Sequence, residues 1–331
     1  MERIINALYK AYGLQITKVK NIEYGLWEES FEVWTLTEKF FAKRFWKKDR
    51  IETRHDEMLR GLLLSQELRA NGFPVPELIF TKNKMPLAHI DGETYEVTEW
   101  VEGNTFHPGE LPKEGAYSMG CLLGKFHSFF QVDKQYKYLE LPSPLAAIQK
   151  CKKLLCQYEH FSGKFADNAK QVLSEQIEIL ELLPRDFLQG MITMSRVGLT
   201  FNSFWVEQII FNDKFEVNAL IDWTDGAGRI GCWAGDIDTA LHISAFDKDA
   251  IVQFCRGYQN FNYLTKEEWE SVFNLTCYKH LCDTWIFDSW VKKYNRRMEH
   301  WENITIKWSI QVPIRFYQWR EIKELVLQFA N

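Results

Sequence analysis

The sequence predicts an α+β chain of two lobes, a small β-rich one followed by a larger, mainly helical one. Three observations predict it. Alternating apolar runs dominate residues 30–101, whereas helical periodicity dominates from residue 114 onward. The change of character falls at Glu102-Gly103, so residues 98–103 are expected to be a hinge between residues 1–103 and residues 104–331. Finally, the chain has 331 residues, and single hydrophobic cores usually serve roughly 100–200 residues.

Element by element, residues 2–12 mix charged and apolar side chains at the spacing of a short amphipathic helix. Ser30-Phe-Glu-Val-Trp-Thr35 and Lys39-Phe-Phe-Ala-Lys-Arg-Phe45 are β-prone and are joined by a short polar turn, so they predict an antiparallel hairpin. Residues 52–71 have helical periodicity with Leu59, Leu62, Leu63 and Leu68 on one side, and Asn71-Gly72 ends the helix. Phe73-Pro-Val-Pro76 forces an extended exit. Strands are expected at 77–81 and 94–101, and helices at 114–130, 143–158 and 164–182. A further hairpin is expected within 204–221, with strands at 204–211 and 215–221 flanking Asn212-Asp213. A glycine-rich loop then runs to Gly235, and helices fill the remainder.

Composition narrows the function classes. The net charge of −5 leaves no basic footprint for nucleic acid or an anionic membrane surface. No stretch approaches the ~18 uncharged apolar residues of a membrane span, and the N-terminus lacks the apolar core of a signal peptide. Seven cysteines fit reduced thiols, which points to the cytoplasm. Cys277, His280 and Cys282 do not share one helix face, so core thiols are favoured over a zinc site. Six of the thirteen tryptophans follow residue 264; they are read as a bulky core, with a ligand-lining wall as the alternative.

Several short motifs occur in a telling order: Phe40-Phe-Ala-Lys43, Gly72-Phe-Pro-Val-Pro76, Val97-Thr-Glu-Trp-Val-Glu-Gly103, Leu123-Gly-Lys-Phe-His127, Ala219-Leu-Ile-Asp-Trp223 and Asp236-Ile-Asp238. In that order they resemble the aminoglycoside phosphotransferase and choline kinase family, with its protein-kinase-like fold, and within it the spore-coat kinase-like proteins. The resemblance implies ATP and Mg2+ as cofactors. It makes Lys43 a phosphate contact, Glu57 (or else Glu67) the acid that orients it, and Glu99, Trp100 and Val101 the adenine-edge segment. It makes Asp222 a metal ligand, because magnesium must neutralise charge that develops on phosphate oxygens. His127 is implied to be structural, and Asp236, or alternatively Asp238, to buttress the catalytic loop.

The family's catalytic loop reads His-Gly-Asp, with an asparagine five residues after the aspartate. One register puts Gln189-Gly190-Met191 on the triplet and Arg196 on the asparagine. A second puts Phe201-Asn202-Ser203 on the triplet and Gln208 on the asparagine. A third takes Asn202 as the metal ligand and Val197 at the acid position. In every register the acid is missing, since residues 187–206 contain no Asp, Glu or His. General-base help is worth about 10²–10⁴-fold. The phosphate loop is also weak, with Gly25 followed by Glu28 and Glu29. The favoured expectation is therefore a catalytically impaired, pseudokinase-like protein with a nucleotide or small-molecule pocket, working by binding a small molecule or a protein partner. One alternative is an active ATP-dependent kinase of a small-molecule hydroxyl, with Asp225 or, less suitably, Glu207 as relocated base. Another is a structural, spore-associated coat component. Trp285, Asp288 and Trp290 are candidate ligand contacts in the helical lobe.

Overall fold

A computed structural model describes residues 2–22, 28–45, 48–107, 109–129, 141–183, 196–241, 247–292 and 321–328. The N-terminal lobe is a five-stranded sheet in the order β1-β2-β3-β5-β4. Its strands are β1 (Lys18–Ile22), β2 (Glu28–Trp34), β3 (Lys39–Phe45), β4 (Ala88–Ile90) and β5 (Glu93–Glu99), and every pairing is antiparallel. Alternation along the strands gives the sheet two faces. Phe31, Val33, Phe40, Ala42, Tyr95 and Val97 share one face and bury it against helix α1 (Glu2–Tyr12), through Ile4, Ala7 and Leu8. Lys43 belongs to the opposite face.

Helix α2 (Lys48–Ala70) crosses from the sheet to the second lobe. Its Met58, Leu62 and Leu68 join the same core as Phe126, Phe201 and Trp223. Leu63, expected on the buried side, is exposed; the inward row runs through Met58, Gly61 and Leu62 instead. Gly61 is required there, because a Cβ at that position would lie 1.9 Å from the Trp223 carbonyl oxygen.

The helical lobe contains α3 (Lys113–Phe129), α4 (Pro144–Tyr158), α5 (Lys164–Leu182), α6 (Trp233–Leu241), α7 (Lys248–Gln259), α8 (Lys266–Cys282) and α9 (Trp285–Val291). Helices α3 and α7 pack backbone against backbone, and a Cβ on Gly120 would meet the Phe254 carbonyl at 2.0 Å. Two small sheets complete the lobe: β6 (Val197–Thr200) with β9 (Arg229–Cys232), and β7 (Ile209–Phe211) with β8 (Val217–Leu220). The expected strand at 204–211 is cut short by a 3₁₀ turn at Val206–Gln208. The expected strand at 77–81 is reduced to an isolated bridge between Leu78 and Thr98. The late tryptophans that are described differ in setting. Trp269 is fully buried, and Trp290 stacks on Tyr158 and Phe165 in the α4–α5 core, so these two pack rather than line a groove. Asp288 is paired with Lys292 at 2.5 Å, and Trp285 is partly exposed.

Candidate functional site

Lys43 stands in the middle of β3, in register with Ser30 on β2 and Glu96 on β5. It is buried, and its ammonium is paired with the Asp222 carboxylate Oδ1. Glu28 Oε1 lies 4.0 Å away. Burial by itself would push the Lys43 ammonium down, but the Asp222, Glu28 and Glu96 carboxylates outweigh it and hold it above the ordinary lysine value. Glu96 feels the opposite balance. Burial pushes its carboxyl up to about 7, with Asp222 and Glu28 adding to the effect and Lys43 opposing it. Its Oε2 is buried without a hydrogen-bond partner among the described residues. Sequence reading missed Glu96, although strand parity places it on the same face as Lys43.

Asp222 follows β8 and holds a left-handed backbone, with φ of 67°. Such a conformation in a non-glycine residue costs of order 1–3 kcal/mol and persists only where the surroundings enforce it. Here Ile221 N–H donates to the Gln208 carbonyl at 2.9 Å. Gln208 in turn donates from Nε2 to Asp222 Oδ2 at 3.0 Å and to Ser203 Oγ at 3.3 Å. Thr224 Oγ1 donates to Asp222 Oδ1 at 3.4 Å. Lys43, Asp222, Gln208 and Ser203 therefore form one continuous polar chain from sheet to helical lobe.

Ser203 is held in place from behind. The Asp236 carboxylate accepts the Phe201 N–H at 2.7 Å and the Asn202 N–H at 2.6 Å. It also meets His127 Nε2 at 3.2 Å. His127 Nδ1 lies 2.8 Å from the Tyr258 hydroxyl, and the ring stacks on Trp233. Burial lowers the His127 pKa against the pull of Asp236, so the ring is a neutral, fully enclosed strut. Asp236, not Asp238, supports this segment; Asp238 pairs with Lys279 at 2.9 Å.

Of the three registers, the second is the one whose positions meet Asp222. In the first, Gln189 and Met191 lie outside the described residues. Arg196 faces away from Asp222, donating from Nε to Glu268 at 2.5 Å and from Nη1 to Asn262 at 3.5 Å. In the third, Val197 opens β6 and pairs with Cys232, and Asn202 Nδ2 donates to the Asp225 carbonyl at 3.3 Å.

The expectation that Glu57 orients Lys43 is corrected by the geometry. Glu57 is enclosed between Arg54 and Arg229. Burial raises its carboxyl, but the two guanidinium groups outweigh that and hold it below the usual carboxylate range. The partners of Lys43 are Asp222 and Glu28 instead, with Glu96 facing it across the sheet. Arg54 also donates to Asp225 Oδ1 at 2.7 Å, which ties the proposed relocated base to α2. Glu207 neighbours His107 and Glu110, and burial raises its carboxyl.

Between the lobes, Glu99 N–H donates to the Glu77 carbonyl at 2.9 Å, and Trp100 N–H to the Lys39 carbonyl at 3.2 Å. The Glu99 carboxylate accepts from Glu77 N–H and Arg69. Lys39 Nζ lies 3.7 Å from the Trp100 ring centroid. Among the described residues, the Val101 N–H and C=O and the Trp100 C=O take no hydrogen bond, so the free backbone edge of this segment runs over Trp100 and Val101.

The model of the phosphotransferase enzyme family matches residues 19–269. The chain belongs to that family. Solved kinases and phosphotransferases share its protein-kinase-like, two-lobed fold. A spectinomycin phosphotransferase in complex with ADP and spectinomycin superposes with a TM-score of 0.65 at 11% identity, covering 96% of this chain and 98% of that one. An aminoglycoside phosphotransferase from Alicyclobacillus acidocaldarius gives a TM-score of 0.60 at 15% identity, covering 98% and 94%. A microcompartment-associated aminopropanol kinase gives 0.60 at 12%, covering 100% and 99%. An amicoumacin kinase of the same fold is known with AMP-PNP and Ca2+. No curated protein matches the chain by sequence.

The donor set beside Asp222 fits one divalent cation of the hard, oxygen-seeking kind. Asp222 Oδ2 faces the Gln208 amide, whose Oε1 is buried without a partner among the described residues. Turning that amide over would present two oxygens side by side. Three carboxylates surround a single ammonium, so the pocket attracts a dication and opposes a bare polyphosphate. Among the described residues no helix is long and apolar enough to cross a membrane.

Proposed function

We propose that this family member is catalytically impaired in phosphoryl transfer and works by holding a metal–nucleotide complex or a small molecule between its lobes, which divide at residues 98–103. One observation carries the reading: the side chain hydrogen-bonded to Gln208, in the chain that leads to Asp222, is the neutral Ser203 hydroxyl. A serine cannot accept a proton from an alcohol as a carboxylate does. Asp225, the candidate for a relocated base, is engaged by Arg54. Asp222 with Gln208 would hold Mg2+, Lys43 would face the phosphates, and Val101 would meet the adenine edge. A bound Mg2+ would supply charge neutralisation at phosphate oxygens.

The test combines binding with turnover. Thermal unfolding with ADP or ATP should show a Mg2+-dependent rise in Tm for the wild type and none for Asp222→Ala. ATP hydrolysis should stay at background in the wild type and rise by roughly 10²-fold in Ser203→Asp, the lower end of the general-base range. Robust wild-type turnover that Asp225→Ala abolishes would instead make the protein an active kinase with a relocated base.

A further inference from the structure

Outside the cleft, two histidines meet in a way that phosphoryl transfer does not require. His55 lies on α2 and His89 on β4. Their Nε2 atoms are 3.2 Å apart, with ring centroids 5.2 Å apart and ring planes inclined by 38°. Zinc–imidazole bonds of about 2.0–2.1 Å at a tetrahedral angle separate two nitrogens by about 3.3 Å. The gap therefore already matches the separation of two nitrogen ligands on one tetrahedral ion.

One outer ring nitrogen is hydrogen-bonded as well. His89 Nδ1 lies 2.8 Å from the Thr94 hydroxyl, its cross-strand partner. His55 Nδ1 lies 3.6 Å from Asp56 Oδ1. The Thr94 hydroxyl behind His89 can accept from an Nδ1–H and so leave that ring's Nε2 free to coordinate. In the metal-free pair one Nε2 must carry the shared proton. On coordination that proton moves to Nδ1 of the same ring.

We infer that His55 and His89 form a two-histidine site for a divalent transition metal of the Zn2+, Ni2+ or Co2+ class, clipping α2 to the edge of the sheet. Among the described residues no group of three His, Cys, Asp or Glu side chains is placed to hold an ion. Water therefore completes the coordination shell, and binding is modest and reversible. The clip would bear on the cleft, because α2 also carries Arg54 and Glu57, which reach Asp225 and Arg229.

Isothermal titration of the full chain with Ni2+ tests this, with His55→Ala, His89→Ala, the double variant and Thr94→Val beside the wild type. Both histidines are at least partly exposed, so the metal-free variants should fold, which their Tm without metal verifies. The seven cysteines are unchanged throughout, so the difference between proteins isolates the pair. Expected are one site lost in both single histidine variants and a weakening of about tenfold in Thr94→Val, the low end of outer-shell effects. A metal-dependent rise in Tm should vanish with the site. Equal binding in the double variant, loss in only one single variant, or no binding at about 1 mM Ni2+, where binding free energy falls to ~4 kcal/mol, would each reduce the contact to an imidazole–imidazole hydrogen bond and overturn the inference.

Discussion

Replacing Glu96 with glutamine should stabilise the protein at alkaline pH and leave it unchanged in acid. Glu96 is fully enclosed and its carboxyl is raised from 4.5 to about 7. The folded state therefore holds this proton over a pH range where the unfolded chain has released it. The stability so gained is present below pH 4.5 and is lost as pH rises through 7. At 1.36 kcal/mol per pH unit, the interval corresponds to ~3 kcal/mol of destabilisation above pH 8. Unfolding entropy of about 2.1 cal/mol/K per residue over 331 residues gives ~0.7 kcal/mol/K, so ~3 kcal/mol is ~4 °C in Tm. Glu96→Gln should then melt about 4 °C higher than the wild type at pH 8.5, with the gap narrowing to about 1 °C at pH 5 and vanishing below about pH 4. Lys43 keeps Asp222 and Glu28 as partners in the variant, so its ammonium stays compensated. Scanning calorimetry at half-unit pH steps measures the gap. A constant gap across pH, or a variant less stable than the wild type at pH 8.5, would refute the claim that a strained buried carboxylate faces Lys43.

Two further substitutions probe how the site is held. Gly61→Ala puts a Cβ 1.9 Å from the Trp223 carbonyl; overpacking of this kind costs about 1–3 kcal/mol, and because Trp223 adjoins Asp222 it should also weaken Mg2+–ADP binding, read as a smaller ligand-induced Tm shift. Asp236→Ala leaves the Phe201 and Asn202 N–H groups unpaired at about 1–3 kcal/mol each. It should lower Tm by several degrees, whereas Asp238→Ala, whose partner Lys279 is partly exposed, should lower it less.

Elements with strong periodicity and local punctuation were legible in the sequence. Helices α3, α4 and α5 fall within a residue or so of the expected spans, because an amphipathic helix writes its own pattern. The hairpin β2–β3 was legible for the same reason. Strands β1, β6 and β9 were not. Each is four or five residues long. Strand β6 finds its partner only about thirty residues away, at β9, and nothing local distinguishes it from loop. Glu57 looked like a partner for Lys43 because it is an acid on the right helix. Arg54, one turn earlier, and Arg229, on β9, capture it instead, and the latter contact is invisible to local pattern.

The same reasoning explains why the 187–208 segment supported three registers. Each was a count along the chain, whereas the position of residues 201–208 is set by a contact across it. Asp236 grips two successive amides at Phe201 and Asn202, 35 and 34 residues upstream, and Asn202 takes a left-handed backbone with φ of 70° as it does so. That grip, with the 3₁₀ turn at Val206–Gln208, delivers both Ser203 and Gln208 to the Asp222 side of the segment. A one-residue slip would present a different pair of side chains and leave Gln208 short of Asp222. The grip of Asp236 therefore fixes where the Ser203–Gln208 pair stands relative to Asp222. Asp236→Ala should accordingly disturb metal–nucleotide binding through Gln208, even in a protein that transfers no phosphate. Retention of full Mg2+–ADP affinity by Asp236→Ala would show that the grip positions nothing that the ligand uses.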